Sequence, residues 1–187
     1  MFQVRFHGRG GQGVVTAAEL LSVACFAEGR YAQAFPSFGS ERTGAPVVSY
    51  CRIATTPIRA HEPVVDADAV VVQDLTLLRL GVLSGLRRDG FLVLNGPAAA
   101  VPAGVVPATH IAAIGATEIA LTHVGRAVPN VPLLGAFAAL TAQVGVDALV
   151  TALRERFTPP VAERNAAAVR AGFDAATHPE VHGAATA

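Results

Sequence analysis

A chain of 187 residues is long enough to bury a full core and fits one domain. Its 14 basic and 14 acidic residues cancel with no basic cluster, so a nucleic-acid or anionic-membrane surface has no support. Charged residues make up 15%, against about 25% in a typical soluble domain, and apolar residues reach 52%, so the chain enters a membrane, has much of its outside covered by partners, or is merely rich in alanine.

Phe2-Gln3-Val4-Arg5-Phe6 alternates as a strand does, and residues 14–28 carry a helical pattern. Between them stands Gly8-Arg9-Gly10-Gly11-Gln12-Gly13. Glycines there let the backbone take positive φ and approach a ligand or a strand, while the first helix amides point outward unpaired. The turn is suited to an anion, to another protein's loop, or simply to tight strand-to-helix packing. As G-x-G-x-x-G it also matches a dinucleotide fingerprint, but that site needs an acid about 20 residues on. The corresponding segment is Tyr31-Ala32-Gln33-Ala34-Phe35, and the nearest acids are Glu28, on the helix, and Glu41, in the next loop.

A short strand is expected over 31–35, a long loop over 36–46, and a clear strand over 47–53. Residues 69–72 read as a central, fully buried strand. Asp74 is expected to cap a helix running through Leu75, Leu77, Leu78 and Leu80 toward Leu86. Another strand covers 90–94, closed by Asn95-Gly96-Pro97, and an aperiodic connection over 97–107 leads to a last strand near 109–112. Helices follow at 117–124, 132–144 and 147–157, and Thr158-Pro159-Pro160 opens a fourth through Phe173. The longest uncharged apolar stretch, 131–146, is broken by Pro132, Gly135, Gln143 and Gly145, which argues against a membrane span. The N-terminus shows no signal-peptide pattern. Alternating strands and helices predict an α/β fold with an open, mostly parallel sheet covered on both faces and a helical C-terminal part. One domain is expected over 1–177, with a short polar tail at 178–187.

The loop 33–46 holds Phe35, Phe38, two prolines, two glycines and the pair Glu41-Arg42. Loops of this length are functional or disordered, and proline-stiffened aromatics beside an arginine are what interfaces favour. The alternative is that Phe35 and Phe38 tuck onto their own core. No nucleophile elbow, zinc-protease helix motif or P-loop lysine occurs. His7, ending the first strand, is expected to bond to backbone, though it stands where a phosphate could reach it. His178 and His182 are four apart, but Pro179 opposes a helix there. Asp66, Asp68 and Asp74 read as turn and cap residues. Cys25 and Cys51 lack any C-x-x-C spacing, so the chain cannot itself ligate an iron-sulfur cluster, and both read as buried residues in a reducing cytoplasm.

Residues 8–14 with Ala17-Ala18-Glu19-Leu20-Leu21, then Tyr31, the run 33–39, Glu41-Arg42 and residues 44–47 resemble the gamma subunit of the pyruvate/ketoisovalerate:ferredoxin oxidoreductases. Asn130 with residues 133–136, and Asn165 with Gly172, resemble the same family's helical second half. Ser40 and Thr43 depart from the Pro and Arg of many members. The resemblance implies a single three-layer, Rossmann-like domain in a multi-subunit cytoplasmic enzyme. That enzyme decarboxylates a 2-oxoacid, pyruvate above all, on thiamine diphosphate, passes electrons through [4Fe-4S] clusters to ferredoxin, and delivers the acyl group to coenzyme A. This chain would bind no such cofactor alone and be inactive alone; alpha, beta and ferredoxin-like delta subunits would carry the thiamine diphosphate and clusters. Gly8, Arg9, Gly10, Gly11, Gln12 and Gly13 become candidate cofactor contacts, and Phe35, Phe38, Glu41 and Arg42 candidate partner contacts. A free-standing nucleotide-binding module is the competing reading.

Overall fold

A computed structural model of the chain describes residues 1–37 and 43–178. Six strands, β1 (Phe2–Arg9), β2 (Tyr31–Pro36), β3 (Pro46–Ala54), β4 (Ala67–Val72), β5 (Leu86–Asn95) and β6 (Ile111–Ile114), form one open sheet in the order β2-β3-β1-β4-β5-β6. β4, β5 and β6 run parallel to β1. Only β3 runs against its neighbours, inserted between β1 and β2. The five helices are α1 (Val14–Ala27), α2 (Ala116–Val124), α3 (Asn130–Thr141), α4 (Val146–Arg156) and α5 (Pro159–Thr177).

All five helices contribute to one apolar cluster, with Val4, Phe6, Ile53, Val71 and Ile114 from the sheet. The opposite face is covered too, but by 3-10 turns and connections, which pack Leu75, Val82 and Val101 over Tyr50, Val70 and Leu92. The layers are therefore helices, sheet and irregular chain. α3 is buried along nearly its whole length, from Asn130 to Ala138, because it lies between the sheet and α5. Part of the apolar excess in the composition is thus spent inside the fold. Gly135 and Gly172 make that seam possible: a β-carbon on Gly135 would land on the Val169 carbonyl oxygen, and one on Gly172 on the Pro132 carbonyl oxygen.

Several elements differ from their sequence expectation. The segment after Asp74 is a 3-10 helix, Leu75–Leu80, because Gly81 at φ 71° stops it and Leu86 already begins β5. The last strand starts at Ile111 since Ala108–His110 turns tightly after Pro107. α3 opens at Asn130 and ends at Thr141, capped by Ala142 at φ 50°, and α5 runs past Phe173 to Thr177. β1 and β4 are parallel neighbours whose chains depart toward opposite edges of the sheet, so their carboxyl ends form a topological switch point.

Candidate functional site

The glycine turn stands at that switch point, and its two sides differ. On one side it is tied down. Gly10 N donates to Ala45 O at 2.9 Å, and Gly44 N donates to Gly10 O at 3.2 Å. The Gln12 side chain folds back to accept from Arg9 N at 2.8 Å. Each nitrogen of the Arg9 guanidinium donates inside the chain: Nε to Asp74 Oδ2 at 3.2 Å, Nη1 to Gly44 O at 2.9 Å and Nη2 to Thr76 Oγ1 at 2.6 Å. Asp74 caps the 3-10 helix by accepting from Thr76 N at 3.0 Å. Partial burial would raise the Asp74 carboxyl, but bonds from Thr76, the Arg9 charge and Gln12 outweigh it and hold the group below the usual carboxylate range. Gly8 has no room for a side chain: a β-carbon would lie 2.6 Å from Val14 Cγ2 and 2.9 Å from Gln73 Oε1. Gln73 is fully buried there, and its amide atoms have no partner.

On the other side the turn is open. Gly11 and Gly13 take φ 96° and 70°, and Gly13 caps α1 without any side-chain bond. The first backbone bond of α1 runs from Ala17 N to Gly13 O, which leaves the amides of Val14, Val15 and Thr16 outside the helix ladder. A cavity of about 310 Å³ opens over Gly11, Gly13 and these residues. A second, of about 330 Å³, shares Gly11, Gly13 and Thr16 and is lined by Arg126, Arg156, Arg164, Asn130 and Asn165. Asn130 Nδ2 donates to Gly13 O at 3.2 Å, tying α3 to the turn. The ion pairs among the described residues are Arg9–Asp74, Arg87–Asp68, Arg154–Glu163 and Arg170–Asp147, so the three cavity arginines are exposed and unpaired there. Helix-terminal amides at one cavity and three guanidinium groups at the adjoining one, the two sharing Gly11, Gly13 and Thr16, are suited to holding a multiply charged anion.

The neighbour of β1 on the α1 side is the antiparallel β3, so no parallel second strand ends beside the turn to supply a ribose-binding acid. Phe35 packs on Tyr50, ring centroids 5.0 Å apart, and under the Arg52 guanidinium, which places it against this chain's own core. Phe38, Glu41 and Arg42 lie outside the described residues, as does His182; His178 follows the end of α5. His7 is not bonded to backbone through its ring as expected: it is buried inside β1 with Nε2 unpartnered. Burial, helped by the Arg5 charge, pushes its imidazole down to about 4. Asp68 lies within β4, accepting from Gln3 N and Arg87 Nη1, both at 2.8 Å. Cys25 and Cys51 both sit in the core. Burial pushes the Cys25 thiol up to about 12 and raises that of Cys51 strongly.

The sequence matches the pyruvate ferredoxin/flavodoxin oxidoreductase family over residues 3–175. The chain belongs to that family. It is 44% identical to pyruvate synthase subunit PorC of Methanothermobacter marburgensis, over 95% of this chain and 99% of that one. It is 41% identical to the pyruvate/ketoisovalerate oxidoreductases common subunit gamma of Pyrococcus abyssi, over 93% and 96%. The crystal structure of pyruvate oxidoreductase subunit PORC from Thermotoga maritima superposes with a TM-score of 0.78 at 36% identity, covering 92% of this chain and 95% of that one.

In this pyruvate ferredoxin/flavodoxin oxidoreductase chain, the glycine turn was visible in the sequence and the arginines facing it were not. Arg126 follows α2, Arg156 ends α4 and Arg164 lies early in α5, more than 110 residues beyond the turn. The nearest sequence signal was Asn130 and Asn165, whose surroundings carry the family resemblance and which line the same cavity. No described helix is long and apolar enough to cross a membrane.

Proposed function

We propose that this chain is the gamma subunit of a cytoplasmic 2-oxoacid:ferredoxin oxidoreductase, with pyruvate as substrate, and that its turn at Gly8–Gly13 holds a phosphate of coenzyme A at the shared site. One domain over 1–177 does this, with 178–187 as an appended tail. The observation that carries the reading is that the cavity over the amides of Val14–Thr16 adjoins, through Gly11, Gly13 and Thr16, a second cavity lined by three arginines without an ion pair among the described residues, at the carboxyl end of β1. Coenzyme A is a phosphate-rich anion, and that donor set is chemically matched to it. Arg9 acts as a positioning residue: its bonds to Gly44, Asp74 and Thr76 hold the turn in place beside the amides of Val14–Thr16.

Thiamine diphosphate supplies the electron sink for decarboxylation, and clusters carry electrons to ferredoxin; both belong to alpha, beta and delta partners in this reading. The chain's own side chains do not fit a cluster. Its two cysteines lie in the core with raised pKa values, and no group of three or more His, Cys, Asp or Glu side chains among the described residues could hold a metal. The loop that carries Phe38, Glu41 and Arg42 is the proposed contact to a partner.

The test is reconstitution. Tagged chain should co-purify with partner subunits that carry iron and thiamine diphosphate, and the assembly should reduce ferredoxin only with pyruvate and coenzyme A present. A chain that purifies alone and binds a nucleotide alone would instead be a free-standing nucleotide-binding module.

A further inference from the structure

Two arginines are buried on the helix-free face of the sheet, and they differ in one respect. Arg52, only 1% exposed, donates from Nε to Gln3 Oε1 at 3.1 Å and from Nη1 to Ala60 O at 3.2 Å, with Nη2 on the Glu62 carbonyl and the Phe35 ring against its plane. Arg5, 9% exposed, reaches the carbonyls of Val65 and Val82 at 2.9 and 3.2 Å, and that of Ser84, but its Nε has no partner among the described residues. No carboxylate among the described residues pairs with it. His7, 7% exposed and two residues along the same strand, leaves Nε2 unpartnered as well. Both side chains line a cavity of about 410 Å³ whose walls include Val48 and Leu77. Its rim carries two of the chain's exposed large apolar side chains, Val65 at 71% and Leu80 at 63%.

A buried guanidinium without a counter-ion is costly, and a buried N–H without an acceptor adds to that cost. Desolvation pulls the Arg5 guanidinium below its ordinary value, only partly opposed by Tyr50 and Asp66. Charge complementarity therefore calls for an acceptor carrying negative charge, and the apolar rim calls for a body that covers Val65 and Leu80. We propose that this cavity is a docking socket for an acidic side chain, Asp or Glu, on a loop of a partner subunit of the same enzyme, the carboxylate taking hydrogen bonds from Arg5 and His7 while the loop covers Val65 and Leu80. This rests on the reading of the chain as one subunit of an assembly. It is a contact on the second face of the sheet, apart from the arginine-lined opening by α1.

Charge at the exposed rim tests the sign of the partner without disturbing the core. Leu80→Glu places a second acid beside the incoming one and should lower the yield of partner subunits on the tagged chain about tenfold. Leu80→Arg should keep the wild-type yield. The melting temperature of each isolated variant should stay at that of the wild type. A second arm exploits the fact that all 14 basic residues are arginines, with no lysine in the chain. In the assembled Arg5→Lys variant, zero-length carbodiimide should join residue 5 to an Asp or Glu of a partner. Equal loss with Leu80→Glu and Leu80→Arg would make the contact merely apolar and overturn the proposal. So would wild-type assembly of Leu80→Glu together with no cross-link. If even the wild-type chain captures no partner, it is the subunit reading that fails.

Discussion

The helix-covered face of the sheet is filled by Val4, Phe6, Leu21, Ile53 and Phe137, fully buried and held by shape. The opposite face buries Arg5, His7 and Arg52 under connections that carry no α-helix, and it is held by directional bonds from guanidinium groups to loop carbonyls. The first face delivers α3, the end of α4 and α5 to the open mouth of the glycine turn. The second supplies the Arg9–Asp74 clamp that fixes the turn from behind. Faults on the first should therefore act through volume, and faults on the second through unpaired polar groups and pH.

The largest expected effect is on the helix side. Gly135→Ala drives a methyl group onto the Val169 carbonyl and forces α3 and α5 apart, at a cost of about 3 kcal/mol in a urea titration. A loss under about 1 kcal/mol would mean the seam is looser than described.

On the other face the main lever is His7. Its folded value of about 4 lies below the ordinary 6.5, so the folded state resists a proton that the unfolded chain accepts. Stability is full above about pH 6.5 and falls as pH drops toward 4, by about 3 kcal/mol at one pKa unit per 1.36 kcal/mol. Urea midpoints of wild type and His7→Gln across that window should converge as pH falls; parallel curves would contradict the buried neutral imidazole.

Asp74 acts at lower pH. Its lowered folded value means its contribution is present above the unfolded value near 3.8 and disappears as pH falls through the folded one. Asp74→Ala, removing the cap and the Arg9 partner, should cost about 1–2 kcal/mol near pH 7 by thermal melting. The smallest effect is favourable: Ala142, at φ 50°, holds a left-handed cap that glycine adopts freely, so Ala142→Gly should gain up to about 1 kcal/mol. A loss would show that the Ala142 methyl group packs more than its backbone strains.

What was legible in the sequence follows the same division. The strand–turn–helix unit at β1 and α1 could be read because alternation, glycine spacing and helical period coincide within 28 residues. The opening of α5 was marked by Pro159 and Pro160. By contrast, the odd positions of β1, Arg5 and His7, look like an outward polar row and are buried, because the connections around 60–66 and 81–85 close over them. The helix expected after Asp74 failed at Gly81, a local stop outweighed in the sequence by four leucines. The arginine opening was hidden because Arg126, Arg156 and Arg164 meet only through tertiary packing, and singly each reads as a solvated surface charge.

The most direct test of the central claim is the kinetic response to coenzyme A of the assembled enzyme carrying Arg126→Ala with Arg164→Ala. Both side chains are exposed, so the fold should be unaffected. A charge-assisted hydrogen bond contributes about 1.5–3 kcal/mol, and 1.4 kcal/mol is tenfold in affinity. The account predicts a KM for coenzyme A raised at least about tenfold, with kcat and the KM for pyruvate unchanged. An unchanged KM for coenzyme A would contradict it and leave the glycine turn with a packing role alone.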